Sequence, residues 1–497
     1  MLTESQLAKS LGINKYELQK QSKELSMHLS GSANLSRKCK SNNNEKYEAL
    51  CDFVLALEAS KDNQKEKSTS TKQKYLSAPK RLNTGTFARA QKANPGDLLD
   101  VMKNYSATEV MSWLPKLINF KGCPQNLLIA SLRMYEVALP HEKAQASLEV
   151  GYRRVKKCLS ENDKYYEITH QRQGLLRYSW GDKEGAKDAL KLALKSDSPK
   201  AKDATLFWIG YIEENPRVKK VYWEHLIKEY PLSFHSLSAS KLMGKDPYED
   251  FLQKPLLKPQ RTASAKEAQL SIQWLEALYM YGETKKAVAL SYKAGKAFNE
   301  KFSAANLAYV AALADKYSLP GEAMQLSFFL TKQNPTLLNA QTLKFIYPTP
   351  FEATFARLAT RVDPLLTFSV AKQESAFNPY ARSPANARGL LQILPSTAKI
   401  YEPKSHKYLY DIDTNVEVGG KILADLIRRL GKTEYALAAY NAGYSRVENW
   451  KKRYSTQDGM LFIDLIPYTE TRGYVAKVLR NHYWYTSLYG KSKQTLR

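Results

Sequence analysis

The residues best suited to chemistry lie in the last third of the chain. In "AKQESAFNPYARSPANARGLLQILPSTA" (371–398), Glu374 is the one acidic residue among small, apolar, amide and basic neighbours. Asp363-Pro364 opens the helix that carries it, because Asp caps well and Pro is tolerated at the first helical position. Asn378-Pro379 closes it. At 100° per residue, Glu374 falls with Leu366, Val370 and Ala371 on an apolar face near the C-terminal end. A carboxylate on a buried face, at the negative end of a helix, is discouraged from ionising. That is the property of a general acid at neutral pH. The alternative is a terminal glutamate that bends out to water, and the stripe does not choose between the two.

Further segments carry groups suited to a sugar. Gln392 interrupts the apolar run of "GLLQILPSTA" before a helix start at Pro395. A buried amide needs a partner, and a sugar hydroxyl or acetamido group could be one. "EYALAAYNAGYSRVENW" reads as a helix ending at Gly443, with Tyr440 and Asn441 in its last turn. An aromatic face with an amide beside it suits a pyranose ring, although Tyr is abundant here and usually packs. Glu470 and Arg472 stand two apart before an amphipathic helix, where a solvent-exposed charge pair is the plain reading.

The elements that must position these groups are helices. Strand-like alternation is scarce along the 497 residues, so the chain reads as all-α, and its length calls for at least two domains. The segment 59–85 is polar and Ser/Thr-rich and reads as a long loop or insertion. Beyond it, short helices follow one another. "YSWGDKEGAKDALKLAL" and "YMYGETKKAVALSYKAG" share two aromatics, a Gly (Gly181, Gly282) and an Ala five residues later (Ala186, Ala287); "YSLPGEAMQLSFFL" is a looser copy. This is the pattern of helix hairpins that stack into a superhelix. Pro348 and Pro350 mark a boundary, giving a superhelical region 1–346 and a second domain 347–497.

Composition narrows the partner. The formal charge of +26 implies an anionic partner. No zinc-knuckle, basic-zipper or ribonucleoprotein motif is present, which argues against nucleic acid. No run of 18 apolar residues exists, so no transmembrane helix is coded. The N-terminus lacks a signal-peptide pattern. Cys39, Cys51, Cys123 and Cys158 form no CxxC pair. Two local disulfides, Cys39–Cys51 and Cys123–Cys158, or four buried thiols both satisfy the count. "DIDTN" (411–415) is too short for a calcium loop, and neither metal nor cofactor is expected.

Taken in order, Glu374-Ser375-x-Phe377, Gly389-Leu390-x-Gln392, Ala439-Tyr440-Asn441-Ala442-Gly443 and Glu470-Thr471-Arg472-x-Tyr474-Val475 resemble the catalytic domain of the soluble family-one lytic transglycosylases. The similarity covers about 347–490; "YPLSFHSLSASKLMG" (230–244) is similar to part of that family's superhelical domain. The resemblance implies a lysozyme-like catalytic domain that cuts the β-1,4 bond between N-acetylmuramic acid and N-acetylglucosamine in peptidoglycan and leaves a 1,6-anhydromuramyl end. It implies Glu374 as sole acid and base, and Gln392, Leu394, Tyr440 and Asn441 as lining of the substrate groove. Ser375 and Ser383 would hydrogen-bond the site, and Glu470 would orient Tyr440 or a loop. Peptidoglycan strands are then the anionic partner, the compartment is the periplasm or cell envelope with any signal peptide removed, and a monomer is expected.

The chain departs from the family's usual pattern. Leu391 and Leu394 stand where Met is common, a swap of similar volume. Asn386-Ala387-Arg388 replaces a usual Gly-Ala, and Asn tolerates the left-handed backbone that Gly would adopt. The competing functions are a hydrolysing muramidase using the same Glu, an inactive wall-binding scaffold, and a nucleic-acid-binding helical repeat.

Overall fold

The computed structural model describes residues 2–31, 35–41, 47–62, 123, 125–196, 201–254, 256–317, 320–359 and 361–490. Among these the chain is helical, without a strand; the β-type pairing is confined to isolated bridges Arg382–Arg388 and Arg388–Ile393. The polar segment assigned to 59–85 lies outside the described residues from 63 onward, and 59–62 belong to the helix Glu48–Asp62. The chain divides into two compact units, each assembled from separated stretches: 1–71, 247–421 and 481–497 in the first, 72–246 and 422–480 in the second. The sequence boundary expected at 346/347 falls inside the first unit.

The first unit is organised around the helix Lys266–Met280. Nearly every residue from Ala268 to Tyr279 is buried, Trp274 completely. A helix buried on all sides must be surrounded by others. The helices Glu4–Ser10, Lys15–Leu29 and Glu48–Asp62 cover it from one part of the chain and Thr284–Ala297 and Ala304–Tyr317 from another. Thr3 closes a capping box with Gln6, and Asn14 caps the next helix. Cys39 and Cys51 are joined in a disulfide, as are Cys123 and Cys158 in the second unit.

The second unit contains the clearest hairpin. Tyr166–Ser179 ends at Trp180, Gly181 turns the chain with φ of +88°, and Asp182 caps Lys183–Leu194. Only a residue without Cβ adopts that φ at little cost. Ala186 is fully buried, and a Cβ on Gly174 would lie 2.6 Å from Leu190 Cγ and 3.0 Å from the Ala186 carbonyl. In the first unit, Gly282 (φ +75°) and buried Ala287 repeat the arrangement between Lys266–Met280 and Thr284–Ala297. The Gly-then-Ala spacing legible in the sequence is therefore the geometry of a tight turn followed by close packing.

Within the second unit a buried charge cluster replaces apolar packing. Protonated His235 donates from Nε2 to Asp464 Oδ2 at 2.9 Å and from Nδ1 to Asp203 Oδ2 at 3.3 Å. Trp208 donates to the same Asp464 oxygen at 2.7 Å. Burial pulls the His235 imidazolium down, but the two carboxylates outweigh it and hold its pKa up at about 10.

Candidate active site

The helix Pro364–Ser375 begins as the sequence requires, with the Asp363 carboxylate accepting from Leu365 N–H at 2.9 Å and Pro at the first position. His482 holds that cap from the other side, 2.6 Å from Asp363 Oδ2. The helix does not have one apolar face. Leu366 through Ala371 are all buried, polar Thr367 and Ser369 included, because neighbours pack around the helix on every side. Its phase therefore cannot assign Glu374 to a buried stripe. Glu374 is half-buried in the last turn.

What distinguishes the end of this helix is its backbone. Ala376 (φ +51°) and Phe377 (φ +62°) are consecutive non-glycine residues in the left-handed region. Each such residue costs about 1 kcal/mol or more and persists only where the surroundings enforce it. Phe377 is buried and packs edge-on against Phe368. Gly321, at the start of Pro320–Gln333, lets that helix approach closely: a Cβ there would stand 2.3 Å from the Ala376 carbonyl oxygen. The loosest of the three hairpin copies thus braces the turn that follows Glu374 and Ser375.

The segment 381–394 is held by a second device. Gly389 has φ of +76°, and a Cβ on it would lie 2.2 Å from Asn415 Nδ2 and 2.3 Å from the Leu409 carbonyl. Asn415, 1% exposed, accepts from Leu391 N–H at 2.8 Å and donates to the carbonyls of Leu409 (2.7 Å) and Arg388 (3.0 Å). Asp411 sets Asn415 in place by capping Thr414 and by its own carbonyl, which accepts from Asn415 N–H. "DIDTN" is thus a side-chain clamp on the "RGLLQ" backbone. Sequence reasoning missed Asn415, and its signal was an Asn near the start of a helix, Ile412–Leu430, whose amide had no obvious partner nearby. Among the described residues, no group of His, Cys, Asp and Glu is arranged to hold a metal ion.

Gln392, at φ of +47°, spends its amide N–H groups on the carbonyls of Gly389 (2.9 Å) and Ala381 (3.1 Å). The partner expected from a sugar is on the donor side a backbone carbonyl, which leaves Oε1 as the group to accept from a ligand. Ser383 works locally: its hydroxyl accepts from Ala387 N–H and its backbone pairs with Ala387 and Asn386. Ser375 likewise donates to the Ala371 carbonyl at 3.2 Å. Asn386 takes the left-handed conformation (φ +68°), as anticipated for the residue in place of Gly. Leu391 is buried against Gly419, and Leu394 stays exposed before Pro395–Tyr401.

Tyr440, Asn441 and Glu470 belong to the second unit. Tyr440 and Asn441 are half-buried in the last turn of Thr433–Ala442, which Gly443 ends at φ of +94°. Asn441 Oδ1 accepts from the Thr471 hydroxyl at 2.7 Å. The motif "ETR" is joined to Asn441 through its threonine. Glu470 is exposed at the start of Thr469–Tyr489, and its side chain makes no hydrogen bond or ion pair among the described residues. The expectation that Glu470 orients Tyr440 therefore finds no hydrogen bond behind it. The exposed Glu–Arg pair is not formed either, because Arg472 turns inward and donates to the Ile466 carbonyl at 3.0 Å.

Residues 353–463 match the family described as "Transglycosylase SLT domain", and 465–494 match "Soluble lytic transglycosylase helical domain". The chain is 33% identical over 158 residues to the soluble lytic murein transglycosylase of Salmonella typhimurium, covering 30% of this chain and 24% of the relative. It is 36% identical over 153 residues to a putative soluble lytic murein transglycosylase of Haemophilus influenzae, 29% of this chain and 26% of that one. It thus spans about a quarter of the length of the curated relatives it matches. The fold is similar to the crystal structure of the 70 kDa soluble lytic transglycosylase of Escherichia coli, with a TM-score of 0.56 at 18% identity over 91% of this chain and 74% of that one. A complex of the 70 kDa enzyme with bulgecin A gives 0.57 at 17% over 95% and 72%.

Proposed function

We propose that this chain, which carries a transglycosylase SLT domain over residues 353–463, is a peptidoglycan lytic transglycosylase with Glu374 as its acid and base. The observation that carries the reading is the placement of Glu374 inside that domain, in the last turn before the strained Ala376-Phe377 pair. Glu374 protonates the glycosidic oxygen, and the bond from C1 of the muramyl residue to that oxygen breaks. The carboxylate then accepts the proton of the muramyl C6 hydroxyl as its oxygen bonds to C1 and closes the 1,6-anhydro ring. Most glycosidases need a second carboxylate to activate water or attack the sugar. Here the substrate's own hydroxyl is the nucleophile. The same reading gives Gln392, through Oε1, and Leu394, Tyr440 and Asn441 roles in binding the substrate.

Two observations support a wall-facing setting. Both cysteine pairs are disulfide-bonded, which belongs to an oxidising compartment such as the periplasm. The charge of +26 favours a polymer carrying peptide carboxylates. No described helix is long and apolar enough to cross a membrane.

The test is digestion of purified sacculi by the wild type and by Glu374→Gln, with mass spectrometry of the released sugars. Anhydro ends from the wild type and their loss in the variant are expected, a decrease of about a hundredfold or more for losing the group that transfers both protons. Reducing ends heavier by one water would make the enzyme a hydrolysing muramidase. Unchanged solubilisation by the variant would refute the assignment of Glu374.

A further inference from the structure

The second unit contains a cavity of about 60 Å³ whose wall carries four guanidinium groups, Arg133, Arg172, Arg453 and Arg472, and one carboxylate, Glu136. The carboxylate is already matched. Arg172 binds both oxygens of Glu136, from Nε at 3.0 Å and from Nη2. Tyr454 donates its hydroxyl to Glu136 Oε1 at 2.6 Å. Arg172 gives its other donors to the Asp464 carbonyl at 2.9 Å, the Leu465 carbonyl and the Tyr454 hydroxyl. Burial opposes the charge of Glu136, but Arg172 outweighs it and keeps the carboxyl below its ordinary range.

Arg133, Arg453 and Arg472 are therefore in surplus around the same cavity. Among the described residues none of the three forms an ion pair. Arg472 gives one N–H to the Ile466 carbonyl, and Arg453 lies 5.9 Å from the ring of Tyr454. Guanidinium groups gathered around a single carboxylate that Arg172 already binds repel each other and lose hydration. Burial, aided by Arg172 and opposed by Asp464 and Glu136, pulls Arg472 down to about 10. Burial lowers Arg133 too, with Arg172 adding to it against the pull of Glu136. Thr469 lines the wall at the start of the 21-residue helix Thr469–Tyr489, so the positive end of that helix adds to the field. The exposed Glu470 is not part of the wall.

We propose that this cavity is an anion site that takes a carboxylate group, held by Arg133, Arg453 and Arg472. Two planar oxygens match guanidinium forks, and charge-assisted bonds of this kind are the strong ones. The carboxylate comes either from the C-terminus of a peptide or from a small free acid. The proposal stands apart from the transglycosylase reading, since binding is measured without turnover.

The experiment is calorimetric titration of the full chain with sodium acetate, with D-alanyl-D-alanine, with the dipeptide's C-terminal amide, and with inorganic phosphate. Saturable binding of a carboxylate probe, weakened about tenfold or more by Arg133→Gln and by Arg453→Gln, supports the site. Binding of the dipeptide and not its amide makes a peptide terminus the source; binding of acetate with the dipeptide excluded makes it a free acid. Without ligand, Arg133→Gln melts no lower than wild type, because one of three mutually repelling cations is gone. No saturable carboxylate binding, binding that survives both substitutions, or tighter binding of phosphate than of either carboxylate overturns the proposal. So does a fall in the melting temperature of unliganded Arg133→Gln, which would mark the cluster as structural.

Discussion

Asn415→Ala is the sharpest perturbation of the scaffold that carries Gln392. Its side chain makes three hydrogen bonds of 2.7–3.0 Å, one accepted from Leu391 N–H and two donated to the Leu409 and Arg388 carbonyls. A buried hydrogen bond contributes about 1 kcal/mol net. The Arg388 carbonyl keeps a second donor, Ile393 N–H at 3.0 Å, so its loss is the smallest of the three. The clamp is therefore worth roughly 3 kcal/mol, which is a factor of about a hundred in the local opening equilibrium. Hydrogen exchange followed by mass spectrometry reads it directly. The peptide covering 388–393 should exchange about a hundredfold faster, while peptides from Lys202–Ile212 in the second unit keep their protection. Asn415→Asp should do no better: it keeps an acceptor for Leu391 but turns a second oxygen toward two carbonyls. Sacculus solubilisation should fall in both variants. Unchanged protection of 388–393 in Asn415→Ala would refute the claim that this side chain holds the segment.

Other consequences follow from the charge and covalent links. His235 has its pKa raised from 6.5 to about 10 in the folded chain, so its pairing with Asp464 and Asp203 stabilises fully below about pH 6.5 and is lost as pH rises through about 10. Thermal melts should therefore drop between pH 7 and 10, and His235→Gln should flatten that slope; an equal slope in the variant would exclude His235 as the cause. Asp203, lowered below its ordinary range because His235 outweighs its burial, adds a loss on the acid side below about pH 4. Reduction of the disulfides should destabilise each unit separately. The Cys123–Cys158 bridge closes 35 residues and the Cys39–Cys51 bridge 12, so Cys158→Ser should cost about 3–4 kcal/mol and Cys51→Ser about 3. Denaturant unfolding with probes in each unit checks this, and a larger effect at the shorter loop would contradict the loop-entropy account.

The sequence determined the features that depend on a few neighbouring residues. Asp363-Pro364 specifies a helix start, Gly181 and Gly282 specify turns, and Ala186 and Ala287 specify close packing, because caps and left-handed turns are settled within four or five residues. The ordered motifs around Glu374, Gln392, Tyr440-Asn441 and Glu470 also pointed to the transglycosylase family, whose domains are matched over 353–463 and 465–494. The tertiary structure decided what depends on distant partners. The amphipathic argument for Glu374 does not hold, because the helix 364–375 is enclosed by packing that its own sequence does not encode. Asn415 reaches back 24 residues to Leu391, and Gly321 meets Ala376 across 55 residues. Arg172 and Glu136 settle their charges with each other and so leave Arg133, Arg453 and Arg472 in surplus. A net charge of +26 is visible in the composition. Which cations share a low-dielectric cavity, and which are already neutralised, is fixed only when the chain folds and brings them within reach of one another.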